Sequence, residues 1–130
     1  MIDMSMWIEW NPNPTGRRVG DCAVRAVAKA LKLDWETAYL KLCKAGYEMG
    51  DMPSSNAVWG SVLRQHGFKR YVIPNSCPDC YTAEAFARDH PRGIYTLVFS
   101  NHTATIRDGV IMDSWDSSAL IPQSYWAKEK

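Results

Sequence analysis

The order of hydrophobic periods along the chain predicts an α+β fold, with N-terminal helices packed on a C-terminal antiparallel β-sheet. Apolar residues recur at helical spacing through the first half, and from Gly93 onward they follow the two-residue period of strands. The two kinds of segment are grouped rather than alternating, which argues against a parallel βαβ architecture. With 130 residues, 46% hydrophobic and 22% charged, the chain suffices for a single domain over 1–130 and is too short for two.

Each element follows from local chemistry. Residues 11–16 (NPNPTG) form a turn region in which two prolines block helix and sheet alike. Asp21 is placed to cap a first helix whose buried stripe is Val24, Val27, Ala28 and Leu31. A second helix starts after Asp34 with Trp35, Ala38, Tyr39 and Leu42 inward, and Gly46 suits its C-terminal stop. A third follows Ser54 or Ser55, carries Val58, Val62 and Leu63, and ends at Gly67. Residues 69–74 read as a short strand, CPDC (77–80) as a turn, and Thr82 as the cap of a short helix to about Arg88. Residues 93–100 are a buried strand by their β-branched and aromatic content. Residues 102–116 form a hairpin turning at Asp108-Gly109, the strongest short turn signal in the chain. After Ser117 the pattern weakens, although Tyr125 and Trp126 are expected to pack.

Charge and termini narrow the function classes. A net charge of +1, with basic pairs (Arg17/Arg18, Lys69/Arg70) rather than a basic stripe, argues against a nucleic-acid partner and against a membrane surface. The opening MIDMSMWIEW has two acids and no basic region, so it does not read as a signal peptide, and no apolar run is long enough to span a bilayer. A cytoplasmic setting is expected, with Cys22, Cys43, Cys77 and Cys80 reduced. Nothing in the pattern sets an oligomeric state.

The hairpin carries the chemistry. With Asp108-Gly109 as a two-residue loop, Arg107 pairs with Val110, Ile106 with Ile111, Ala104 with Asp113 and His102 with Trp115. Side chains alternate, so His102, Asp113 and Trp115 share a face, and His102 and Asp113 are diagonal neighbours. A carboxylate so placed fixes the imidazole tautomer and stabilises the imidazolium, while Trp115 keeps water off the pair. Asp116 falls on the opposite face, and a one-residue bulge would exchange the two acids. Taken alone, His102 is a half-buried strand residue and Cys22 a small buried hydrophobe. Cys22, however, stands in the first turn of a helix, where aligned N–H dipoles favour a thiolate. A histidine brought alongside can take its proton, and the Cys22 backbone N–H points where an oxyanion forms in acyl transfer. Asp21 opposes a low thiol pKa unless its side chain turns away as the cap.

Cys77 and Cys80 have the spacing of half a zinc site. The thiols and imidazoles left to complete it are Cys43, His66 and His90, with no second CxxC and no HxxxH, so no metal or cofactor is expected and a zinc-stabilised domain is the weaker alternative. His66, at a helix end before Gly67, suits the dipole there without any catalytic role.

Three motifs then stand in the order Cys, His, Asp: GDCAVRAVAKAL, NHTATIRDG and MDSWD. Together they resemble the papain-like cysteine peptidase superfamily, which includes papain-type enzymes and the small NlpC/P60 and CHAP hydrolases. The resemblance implies a minimal papain-like fold, with the catalytic cysteine at the start of the core helix. It implies a cysteine peptidase or amidase that cleaves a peptide or isopeptide bond through a thioester, on a protein or peptide substrate, with no cofactor. Cys22 would be the nucleophile, His102 the general base and then acid, Asp113 the orienting residue and Trp115 the shielding indole. The family adds a side-chain amide upstream of the cysteine to the oxyanion hole, often Gln. At that distance stand Gly16 and Arg17, which leaves Asn13, or Asn11 behind it, as the substitute. The longer Cys-Gly-Ser-Cys-Trp signature of papain is absent. The alternative is the same fold with a degenerate site, serving as a binding or inhibitory module.

Overall fold

The computed structural model describes residues 7–74 and 81–128. Helix α1 (Cys22–Leu31) is alanine- and valine-rich, and seven of its ten residues are buried. Small side chains let it lie close to the sheet on one side and to α2 and α3 on the other, where it contributes Val24, Val27 and Ala28 to the core. It ends at Lys32, in the left-handed region at φ 58°.

Helix α2 (Trp35–Met49) is capped by Asp34, whose side chain accepts from the Thr37 N–H at 2.7 Å. It continues past the expected stop at Gly46 to Gly50, which takes the left-handed cap at φ 68°. Gly46 instead serves close approach, because a Cβ there would lie 2.7 Å from the Asp51 carbonyl oxygen. Tyr39, expected inward, is 44% exposed and stacks on Trp35 with ring centroids 4.9 Å apart. Helices α3 (Asn56–Gln65) and α4 (Ala83–Asp89) begin at the expected caps, Ser55 and Thr82. His66 closes α3 by donating from Nδ1 to the Val62 carbonyl at 2.9 Å.

The sheet has the order β1-β5-β4-β3-β6-β2, with β1 (Trp7–Glu9), β2 (Phe68–Val72), β3 (Ile94–Val98), β4 (Thr103–Arg107), β5 (Val110–Asp113) and β6 (Ser124–Lys128). It is mixed rather than purely antiparallel, since β1 pairs parallel to β5 with Trp7 opposite Ile111 and Glu9 opposite Asp113. Three residues give too short a stretch for a period to be read. The weakly patterned tail becomes β6, inserted between β3 and β2. Both faces of that strand are covered, Trp126 packing toward α1–α3 and Tyr125 toward α4, so it lacks the polar alternation of a half-exposed strand.

The four helices among the described residues thus pack on both faces of the sheet, and the class is α+β. Val98 and Trp126 join the core under α1–α3, whereas Leu97, Ile106 and Ile111 join Phe86 of α4. One buried hydroxyl ties α1 to the sheet: Thr105 Oγ1 donates to the Ala26 carbonyl at 2.7 Å and lies 2.8 Å from Thr96 Oγ1. No helix among the described residues is long and apolar enough to cross a membrane. Cys77, Cys80 and the turn expected there lie outside the described residues. Within those residues no group of three or more His, Cys, Asp or Glu is placed to hold a metal ion.

Candidate active site

Two tight turns bring His102 and Asp113 together. Asp108 and Gly109 take positive φ of 50° and 80°, as a two-residue hairpin loop demands. Asp108 Oδ1 accepts from the Gly93 N–H at 2.9 Å, which holds the loop against the start of β3. The resulting register pairs Arg107 with Val110, Ile106 with Ile111 and Thr105 with Met112, as the sequence predicts. At the other end of β4, the Phe99 N–H donates to the His102 carbonyl at 2.8 Å and closes the β3–β4 turn. His102 Nε2 then donates to Asp113 Oδ2 at 2.6 Å.

Trp115 lies beyond the end of β5, so it is not a ladder partner of His102. Its ring nevertheless covers the imidazole, with centroids 4.5 Å apart, while remaining 44% exposed itself. Phe99 stacks on the same imidazole at 5.9 Å. The ring is thereby fixed by two aromatic neighbours and one ionic hydrogen bond.

Asp113 is 1% exposed, and its carboxylate accepts four hydrogen bonds. His102 Nε2 and Ser117 Oγ (2.7 Å) reach Oδ2, whereas the Ser114 N–H (2.8 Å) and Arg25 Nη2 (3.0 Å) reach Oδ1. A carboxylate has about four acceptor positions, so this one is filled and held in one orientation. Its backbone carbonyl is fixed as well, accepting from the Trp10 N–H at 2.7 Å and from Trp7 Nε1 at 3.2 Å. Burial pushes the Asp113 carboxyl up, but the donors His102, Ser117 and Ser114 hold it below its ordinary value.

Cys22 is the first residue of α1 and half-buried, with its thiol in hydrogen-bonding reach of His102 and of the Thr103 N–H. Nε2 of His102 is committed to Asp113, so Nδ1 is the nitrogen that remains for the thiol. Burial pushes the thiol up; the His102 hydrogen bond, the Thr103 amide and the charges of His102 and Arg25 more than offset this and bring it below its ordinary range. Burial also opposes charging of His102, yet Asp113 and Cys22 together raise it to about 9. The pair therefore favours imidazolium and thiolate.

Asp21 occupies the N-cap position of α1, but its side chain does not cap the helix. It turns inward instead, forming an ion pair with Arg25 and accepting from Trp35 Nε1 at 2.9 Å. The charge that would oppose a low thiol pKa is thus matched by a guanidinium, and the Asp21 side chain makes no capping bond to the N-terminal amides of α1. Arg25 was not legible as a functional residue from an apolar stripe; the available signal was the Asp21-to-Arg25 spacing of four within a helix.

The two candidate amides upstream differ in use. Asn11 Nδ2 donates to the Gly16 and Arg17 carbonyls, at 3.3 and 3.1 Å. Asn13 accepts at Oδ1 from the Thr15 N–H and hydroxyl, at 2.9 and 2.8 Å, which presents its residue within a turn. Asn13 also lines a cavity of about 680 Å³ with Val19, Asp21, Ala23, Trp35 and Tyr39, immediately beside the chain that leads into Cys22. A second cavity of about 600 Å³ lies near the other end of α1, lined by Leu31, His66, Phe68 and Tyr95; none of Cys22, His102 and Asp113 lines either cavity.

Compared with protein-family models, curated proteins and solved structures, the chain matches none.

Proposed function

We propose that this chain is a cysteine hydrolase of papain-like type, cleaving a peptide or isopeptide bond. The observation that carries the reading is the His102 Nε2 to Asp113 Oδ2 bond of 2.6 Å, with the Cys22 thiol of a helix N-terminus against the same imidazole. In the first half-reaction the Cys22 thiolate attacks the substrate carbonyl carbon. The oxyanion accepts from the Cys22 backbone N–H, and the Asn13 amide is the side-chain donor assigned beside it. The His102 imidazolium gives its proton to the departing amine as the tetrahedral intermediate collapses to a thioester. In the second, neutral His102 takes a proton from the water that attacks the thioester, and collapse of the tetrahedral intermediate releases the acid and the Cys22 thiolate beside the restored imidazolium. Asp113 stays ionised throughout and holds the imidazole in the tautomer that leaves Nδ1 for the thiol.

An electrophilic thiol reagent tests this without knowledge of the substrate. Iodoacetamide at neutral pH should alkylate Cys22 much faster than Cys43, and His102→Ala should abolish the difference. Cys22→Ala should keep the fold while losing hydrolysis of a fluorogenic peptide panel. Labelling of Cys22 no faster than of Cys43 refutes the enzyme and favours a degenerate binding module.

A further inference from the structure

We infer that Arg25 is a positioning residue of this site: its guanidinium, anchored by Asp21, holds the Asp113 carboxylate turned toward His102. The inference rests on the hydrolase reading above. The guanidinium bridges two carboxylates that come from different parts of the chain, Asp21 before α1 and Asp113 at the end of β5. All three groups are buried, with side chains between 1% and 6% exposed.

Stability alone does not account for such a triad. A buried ion network costs desolvation that its attraction only just offsets, and apolar replacement is often neutral or stabilising. The geometry instead favours a role in aiming. Arg25 stands three residues after Cys22 on the same helix, so the nucleophile and the clamp move as one rigid body. Both Nη atoms are engaged by acids, while the buried Nε has no hydrogen-bond partner among the described residues. The group is therefore oriented for the two carboxylates at the expense of its own remaining donor. Without Arg25, Asp113 Oδ1 would keep only the Ser114 N–H, and the carboxylate could rotate away from His102. The charged groups that meet here are Asp21, Cys22 and Arg25 from the start of α1, His102 ahead of β4, and Asp113. Arg25 is the permanent cation among them, set against two carboxylates and a thiolate.

The test is the pH profile of Cys22 alkylation by iodoacetamide, resolved by peptide mass spectrometry, with the melting temperature measured in parallel. Arg25→Met combined with Asp21→Asn removes one buried charge of each sign and preserves the balance of the core. Arg25→Lys keeps a charge but cannot fork between two carboxylates. In the double variant the acid limb should move up by about one pH unit, which lowers the rate roughly tenfold at pH values below the wild-type midpoint. Arg25→Lys should show a smaller shift in the same direction. A merely structural role would lower the melting temperature and leave the limb in place. Folded variants with the wild-type limb overturn the inference and leave the hydrolase reading standing; if the double variant does not fold, the limb of Arg25→Lys decides. Wild-type Cys22 that alkylates no faster than Cys43 overturns both.

Discussion

Replacing Asp113 with Asn is nearly isosteric, yet the structure makes it a severe change. The carboxylate accepts from two donors on each oxygen: His102 and Ser117 on Oδ2, Ser114 N–H and Arg25 on Oδ1. An amide has one oxygen, so its NH2 must face one of these donor pairs. Toward Oδ1 it would meet a backbone N–H and a guanidinium, neither of which can accept. Toward Oδ2 it meets a hydroxyl, which can rotate, and an imidazole, which can change tautomer. The second arrangement is favoured, and it places the His102 proton on Nδ1, against the thiol instead of ready to receive from it. The imidazolium is then opposed as well, so the His102 pKa should fall from about 9 toward its ordinary 6.5. Cys22 keeps its own share of that shift, so the loss from the ion pair is less than the ~3 kcal/mol that the full difference represents. Loss of activation by a tautomer error of this kind is on the order of 10⁴-fold in a serine triad. Exchanging ionic for neutral hydrogen bonds at Arg25 and Ser114 should cost a further ~1–2 kcal/mol of stability. The assay is Cys22 alkylation against pH together with the ¹⁵N spectrum of the His102 ring. Asp113→Asn with wild-type alkylation and a proton retained on Nε2 would refute this account of Asp113.

The pH dependence of stability has a sign that follows from the same pair. His102 is raised from 6.5 to about 9, so alone it gives stability present below pH 6.5 and lost as the pH rises through about 9. Cys22 is lowered from 9.0, so alone it gives stability complete above pH 9.0 and lost as the pH falls through its folded value. The slopes oppose between the folded Cys22 value and 9.0, so the wild-type melting temperature should decline less from pH 6.5 to 9 than that of Cys22→Ala; equal declines would contradict the ion pair. Thr105→Val removes the buried hydroxyl that joins Ala26 to Thr96, and chemical denaturation should show a loss of ~1–3 kcal/mol; a loss below ~0.5 kcal/mol would mean that this tie contributes little. Gly60→Ala puts a Cβ 2.8 Å from Trp126 Cζ2, so overpacking of ~1–3 kcal/mol should exceed the ~1 kcal/mol gain in helix propensity; a higher melting temperature would show that the indole shifts freely.

The parts of this molecule that could be read from sequence are those fixed by local chemistry. The Asp108-Gly109 loop sets the register from Arg107 opposite Val110 to Thr105 opposite Met112, and that register points His102 toward Asp113, although the β3–β4 turn is also needed to hold it there. The caps at Asp34, Ser55 and Thr82 were legible because each is a short polar side chain ahead of an apolar stripe. Asp21 has the same look and a different use, because its partners Arg25 and Trp35 are chosen by packing. Gly46 resembles a helix stop, and only the return of the chain at Asp51 explains it. Strands β1 and β6 were hidden for opposite reasons, one too short to show a period and the other covered on both faces. Arg25 escaped because a search for buried positions is a search for apolar ones.

The distance in sequence between α1 and the hairpin has a consequence for synthesis. Arg25 and Asp113 are 88 residues apart, and every group that perturbs Cys22 from outside α1 lies in the C-terminal third of the chain. At about 5–20 residues per second, a ribosome needs on the order of 5–20 s to add that stretch. During that interval α1 can form, but its cysteine lacks His102 and the Thr103 amide, and of the groups that lower its pKa it keeps only Arg25. On the hydrolase reading, Cys22 is activated only once the His102 hairpin has been made and docked, so the nascent segment carries no activated thiol that could attack amide bonds around it.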